Sequence, residues 1–295
     1  MSVPWIETLV MAALAASAAP AAQTADAGDR IDIGGRALRL SCRGSGGPTV
    51  IVDAGMGTAP AEDPGWQGIA EKIAPTARIC LYDRAGLGGS DPAPGGPRTS
   101  ADAAADLHAA LAKAQVRGPY LLVGHSIGGL HAQVFAALYP EDVAGLVLVS
   151  STHPDQMTTW LSKLPPPASG EEKAIAETRA FLAAMIEDPT RNEERLDFAT
   201  SATQARRLTT LGAKPVIVAT HSPRYRMVPG LSEPLAVTLE AETQRMQKQF
   251  LTLSSRAKQS IAETAGHGLP HEDPGFVVAA ILEALALARA DPPSS

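Results

Sequence analysis

Residues 120–129 read Tyr-Leu-Leu-Val-Gly-His-Ser-Ile-Gly-Gly, a G-x-S-x-G set lying directly between an apolar run and an amphipathic helical pattern. A strand that turns at once into a helix lifts a serine Oγ above the sheet edge in a strained conformation, which marks Ser126 as a candidate nucleophile. Gly124 and Gly128 suit such a turn, because strand and helix backbones must pass close together there. The amide of Ile127, at the start of the helix, would point at a developing oxyanion with the helix dipole behind it. Serine is a poor nucleophile without a base. His267, in Thr264-Ala265-Gly266-His267-Gly268-Leu269-Pro270, follows the last apolar strand on a glycine-flanked loop and is the candidate base. Among the other histidines, His108 and His131 fall mid-helix, and His125 adjoins Ser126 but points elsewhere along the turn. His153, His221 and His271 are loop residues able to line a pocket.

Other chemistries find little support. Gly86-Leu87-Gly88-Gly89-Ser90-Asp91 lacks the third glycine and the acidic ribose ligand of a dinucleotide loop. There is no G-x-x-x-x-G-K-[ST] and no H-E-x-x-H, so neither phosphate cradling nor zinc hydrolysis is indicated. Cys42 and Cys80, both in strand-like runs, are too few for a Cys-based metal site. They form one disulfide if the chain is exported, or serve as two small buried apolar side chains. Asp83-Arg84 reads as a structural ion pair beneath the site. No metal and no cofactor is expected.

The elements that must position these residues belong to a chain of 295 residues with formal net charge −6, 45% apolar and 19% charged. That is too apolar and too weakly charged for a disordered polymer, and the length suits one large α/β domain. A mild acidity with no basic run argues against a nucleic-acid partner. Residues 6–22 are rich in Ala, Leu, Val and Met, with Glu7 as their only charge. They read as a signal peptide over residues 1–22, which predicts export to the periplasm or medium. No Lys or Arg precedes the apolar core, and a cytoplasmic protein with a loose N-terminal arm is the alternative. No other stretch approaches the ~20 apolar residues of a membrane-spanning helix.

Short β-branched runs then alternate with helical patterns. A hairpin around Gly34-Gly35 joins strands at 30–33 and 38–42, and further strands fall at 49–52, 79–82, 120–123, 145–149, 215–219 and 259–262. Helices are predicted near 66–73, from Ser100 as N-cap through Ala114, over 127–139, 241–253 and 276–290. This alternation implies a mostly parallel sheet. Between about 152 and 212 it breaks into a Pro-rich connector at 163–170 and helical stretches at 171–187 and 192–211, most simply a lid over one end of the sheet.

From about Arg30 to Ala290 the chain resembles the α/β-hydrolase superfamily. The resemblance rests on Val52-Asp53-Ala54-Gly55-Met56-Gly57, Tyr82-Asp83-Arg84-Ala85-Gly86-Leu87-Gly88-Gly89-Ser90, the turn at Ser126, and Gly266-His267 leading to Glu272-Asp273-Pro274. It implies an α/β-hydrolase fold: one domain over residues 23–295, with a mostly parallel eight-stranded sheet flanked by helices and a helical lid inserted after strand 6. It also implies a second oxyanion N–H from the loop after the third strand, by position Met56, although this chain has Ala-Gly where many relatives have His-Gly. Such relatives are mostly acyl hydrolases that need no cofactor.

The resemblance further implies a carboxylate just after the seventh strand, and Val218-Ala219-Thr220-His221-Ser222-Pro223 offers none. Some relatives place the acid at the tip of strand 6, where Asp155 follows Ser150 by five residues. Asp155 is therefore the expected third member, fixing the His267 tautomer, with Glu233, Glu240 and Glu242 as alternatives. The resulting expectation is a serine-dependent carboxylic ester hydrolase acting on a small-molecule ester, with Ser126, His267 and Asp155 as catalytic residues and Met56 and Ile127 forming the oxyanion hole. Amide hydrolysis or acyl transfer would use the same machinery. A non-catalytic ligand binder is the reading from a different class, and the missing obvious acid is its argument.

Overall fold

A computed structural model describes residues 29–228 and 230–290; the expected signal segment lies outside them. Among the described residues eight strands form one sheet: β1 (Asp29–Asp32), β2 (Ala37–Arg43), β3 (Thr49–Asp53), β4 (Ile79–Tyr82), β5 (Tyr120–His125), β6 (Val143–Val149), β7 (Val216–Thr220) and β8 (Ala257–Ile261). Their spatial order is β1-β2-β4-β3-β5-β6-β7-β8. The first hairpin and the β2–β4 pair are antiparallel, and all remaining pairs are parallel. β3, β4 and β7 are buried throughout, as strands covered on both faces must be. Cys42 stands directly opposite Cys80 across β2 and β4, and the two are joined by a disulfide.

Side chains alternate between the two faces, and so does the core. Val50, Val52 and Val123 pack with Trp66, Ile69 and Ile73 of α1 (Pro64–Ile73) and with Val277 and Ile281 of α9 (Pro274–Ala290). Ile51, Leu122 and Leu148 pack on the other face with Leu107 and Leu111 of α2 (Ser100–Lys113) and with Leu130 and Phe135 of α3 (Ile127–Leu138). The N-cap of α2 is Thr99, one residue before the predicted Ser100. Its side chain accepts the Asp102 amide while Asp102 accepts the Thr99 amide, a reciprocal cap that Ser100 inside the helix cannot make.

Between β6 and β7 lie α4 (Gln156–Lys163), α5 (Lys173–Glu187) and α6 (Phe198–Ala205). The first is a short helix that the sequence pattern did not mark. Beyond β7 runs α7 (Glu233–Gln249), eight residues longer at its start than the apolar periodicity indicated, with a proline in its first turn. Trp160, Leu164, Leu182, Leu239 and Met246 form a third apolar cluster that joins α4 and α5 to α7. Trp160 Nε1 donates to Thr243 Oγ1 at 3.0 Å, and Gln247 Nε2 of α7 donates to the Ser151 carbonyl at 2.7 Å. No helix among the described residues is long and apolar enough to cross a membrane.

Candidate active site

Ser126 is held at φ 53°, ψ −122°, left-handed backbone that a side chain rarely adopts. The two flanking glycines make the turn possible. A Cβ on Gly128 would stand 2.0 Å from the Asp53 carbonyl, and one on Gly124 would stand 2.5 Å from Gly129 Cα. Ser126 donates its amide to Val149 O at 3.2 Å and accepts Thr152 N at 2.9 Å, so both neighbours of the turn are fixed to the tip of β6.

His267 reaches Ser126 from the loop after β8, with Nε2 3.0 Å from the serine Oγ. That loop is tightly seated. Glu272 of α8 (Leu269–Glu272) accepts the Gly266 and Gly268 amides at 2.6 and 3.1 Å. His125, expected to point away, instead turns its Nε2–H onto the His267 carbonyl at 2.8 Å and braces that loop. Its other ring edge faces Gly55, where a Cβ would lie 3.2 Å from Nδ1.

Asp155 does not face His267. Its carboxylate binds Arg206 at 2.6 and 2.9 Å, with the side chain 47% exposed at the head of α4. The chain turns into α4 there and carries Asp155 outward, so proximity in sequence to the β6 tip does not become proximity to His267. Glu233 pairs with Arg226, and Glu242 with Lys163 and Arg245, all at the surface.

The Nδ1 of His267 meets Ser150 Oγ at 2.8 Å instead. Ser150, at the tip of β6 with φ 42°, also lies 2.6 Å from His221 Nδ1, and His221 Nε2 lies 3.0 Å from Glu240 Oε1. Gln244 Nε2 donates to the same Glu240 oxygen at 2.8 Å and to the His221 carbonyl at 3.0 Å. His221 and Glu240 are 1% and 4% exposed, so these contacts exclude water. The two places where an acid was sought, the tip of β6 and the end of β7, thus hold a serine and a histidine bonded to each other.

The loop after β3 faces Ser126 across the site. Met56, Ile127, Ser126 and His267 line one pocket of about 300 Å³. Neither the Met56 nor the Ile127 amide donates to another group among the described residues. Behind this loop Arg84, 3% exposed, bonds Asp53, the Ala54 and Gly55 carbonyls at 2.7 Å, and both oxygens of Glu194. Glu194 Oε1 also accepts the Gly57 amide at 3.0 Å. The ion pair expected between Asp83 and Arg84 is not formed. Asp83 turns away to accept the Ala61 and Gly89 amides and approaches Arg39, while Arg84 turns inward to its two other carboxylates.

Burial, the His125 ring and the His221 ring all disfavour a second proton on His267, and hold its pKa well below the usual histidine value. Burial likewise lowers His125 to about 4. Two carboxylates share the single Arg84 charge. Burial pushes Asp53 up to about 6, whereas at Glu194 the guanidinium outweighs burial and brings it down to about 2. The pocket above Ser126 is walled by Met157, Trp160, Phe181, Leu182 and Met185 from α4 and α5, with Arg191 and Asn192 as polar members. Among the described residues no cluster of His, Cys, Asp and Glu is arranged to hold a metal.

A serine on a strained strand-to-helix turn, a facing histidine and a β6–β7 helical insertion stand together on this sheet order, and residues 48–215 match the family model of the alpha/beta hydrolase fold. The chain belongs to that family. It is 28% identical over 242 residues to protein YqjL of Bacillus subtilis, covering 82% of this chain and 85% of that one. It spans less than a fifth of the first curated relatives it matches, among them a probable transporter of Hormonema carpetanum, 35% identical over 41% of this chain but 18% of that protein's length. Its fold is similar to that of a thermophilic esterase from Thermogutta terrifontis, with TM-score 0.55 and 21% identity over 86% of this chain and 94% of that one. A hydrolase from Pseudomonas aeruginosa aligns with TM-score 0.56 and 18% identity over 85% and 95% of the two chains.

Proposed function

We propose that this protein is a serine hydrolase that cleaves small-molecule carboxylic esters through an acyl-enzyme on Ser126. The observation that carries the reading is the 3.0 Å approach of His267 Nε2 to Ser126 Oγ at a strained strand-to-helix turn. The neutral His267 takes the Ser126 proton as Oγ attacks the ester carbonyl, and returns it to the leaving alcohol. The Ile127 and Met56 amides hold the oxyanion, the former with the α3 dipole behind it. Water then enters, loses a proton to His267 Nε2 and releases the carboxylic acid, restoring Ser126. Epoxide opening is disfavoured, because it needs a carboxylate nucleophile where Ser126 stands.

The apolar walls contributed by α4 and α5 support an ester with an apolar acyl or alcohol group. The Cys42–Cys80 disulfide supports export to an oxidising compartment. Hydrolysis of short p-nitrophenyl esters, together with fluorophosphonate labelling of Ser126, tests the reading. Wild type should turn over the ester and take up the label, and Ser126→Ala should do neither. A folded wild type that does neither would overturn it and favour a non-catalytic binder.

A further inference from the structure

Ser126, His267, Ser150, His221 and Glu240 form one unbroken hydrogen-bonded line, and among the described residues no carboxylate bonds a ring nitrogen of His267. Donor and acceptor rules leave one arrangement for a working base in which every hydrogen on the line finds a partner. His267 Nε2 must be bare to accept the Ser126 proton, so Nδ1 carries hydrogen and donates to Ser150 Oγ. Ser150 then has one hydrogen to give, and His221 Nδ1 lies 2.6 Å away to accept it. His221 must therefore carry its hydrogen on Nε2, which points at Glu240 Oε1 at 3.0 Å. Every bond runs head to tail toward the carboxylate.

We propose that Glu240 supplies the negative charge normally placed beside the base, and does so at a distance, through His221 and Ser150 as positioning residues. The proposal rests on the reading of Ser126 and His267 as nucleophile and base. Each hydrogen bond polarises the next in a water-excluded line, so the imidazolium formed on His267 is stabilised without direct contact. Protons along the line stay on their own atoms, and the only one transferred is that of Ser126 to His267 Nε2. Two further observations fit. Ser150 is kept at a left-handed φ that serine rarely adopts, which aims its Oγ between the two rings. Gln244 holds both the Glu240 carboxylate and the His221 carbonyl, fixing the far end.

Other ionisable groups surround the line. His125 contacts the His267 carbonyl, Glu272 holds the loop amides on either side of His267, and the His271–Asp63 pair lies beyond. The Tyr225 ring stands against His221, and Arg226 follows it toward Glu233. None of these carboxylates accepts from a ring nitrogen of His267 or His221.

Glu240→Gln keeps the shape and an oxygen acceptor for His221 but removes the charge. With p-nitrophenyl acetate, kcat should fall at least about tenfold with KM little changed. The acid limb of kcat/KM should also move to lower pH, because the imidazolium loses its distant partner. Ser150→Asp placed in the Glu240→Gln background brings a carboxylate directly to His267 Nδ1 and should recover much of the lost kcat. A folded Glu240→Gln protein with wild-type kcat and acid limb would overturn the proposal. Nitrogen-15 spectra of the wild type test it without any substitution: His267 should carry its proton on Nδ1 and His221 on Nε2. A His221 protonated on Nδ1 would leave Ser150 no acceptor and overturn the relay. A wild type inert toward esters would instead count against the hydrolase reading, and the tautomers would still decide the relay.

Discussion

Glu194 grips the Arg84 guanidinium at two points, Nε to Oε2 and Nη2 to Oε1, both at 2.7 Å. The same carboxylate accepts the Gly57 amide, and Arg84 bonds the Ala54 and Gly55 carbonyls. A residue from the segment before α6 therefore sets the shape of the loop that presents Met56 to Ser126.

Removing one charge from this clamp should loosen that loop. Glu194→Gln is expected to lower kcat by about tenfold, since a displaced oxyanion donor acts on the transition state. Arg84→Met leaves two buried carboxylates unpaired and should cost about 3–5 kcal/mol in chemical denaturation. The pH dependence carries a sign. The Glu194 pKa falls from 4.5 to about 2 on folding, so its stabilisation is complete above pH 4.5 and is lost as pH falls toward 2. Stability of Glu194→Gln should consequently decline less steeply than wild type over that window.

The base must be neutral to accept the Ser126 proton. Because burial and two neighbouring rings depress the His267 pKa, the protonated form is reached only in more acidic solution. The acid limb of kcat/KM for p-nitrophenyl acetate should thus lie below the 6.5 of an ordinary histidine. An acid limb at or above that value would show that stabilisation of the imidazolium outweighs burial and the neighbouring rings at His267.

Asp155 is exposed and bound to Arg206, so Asp155→Asn should leave kcat within about twofold of wild type. Its effect on stability should stay within about 1 kcal/mol. A loss of turnover by orders of magnitude, measured beside Glu240→Gln, would return Asp155 to the triad.

The turn at Ser126 tolerates no side chain at Gly128. Gly128→Ala would drive a methyl into the Asp53 carbonyl at 2.0 Å, with Ala54 O at 2.6 Å behind it. Both contacts are to main chain, which cannot swing aside as a flexible side chain could. A melting temperature several degrees lower is expected, with slower fluorophosphonate labelling of Ser126 in whatever folds.

The parts of the site that were legible in sequence are those whose chemistry has a local spacing. Gly124, Ser126 and Gly128 announce a turn because the backbone clash is set within five residues, and His267 follows a recognisable strand. The stabilising acid left no such mark. Ser150 and His221 occupy the two strand tips where a carboxylate was sought, and neither residue type looks acidic. Glu240 lies in the first half of α7, where the sequence reading began the helix one residue too late to include it. Asp155 was favoured because it was the acid nearest the β6 tip in sequence, and α4 carries it outward. The strands themselves and the break in their alternation between β6 and β7 were readable from apolar runs, whereas α4, a short helix with only Gln156 and Trp160 buried, was not.

Trp160 and Leu239 tie the wall of the substrate pocket to α7, the same helix that seats Glu240. A lineage that remodels those walls for a bulkier ester does so on the backbone that aims the distant charge. On the proposed reading, breadth of acceptance and tempo of the chemistry are then coupled through one helix.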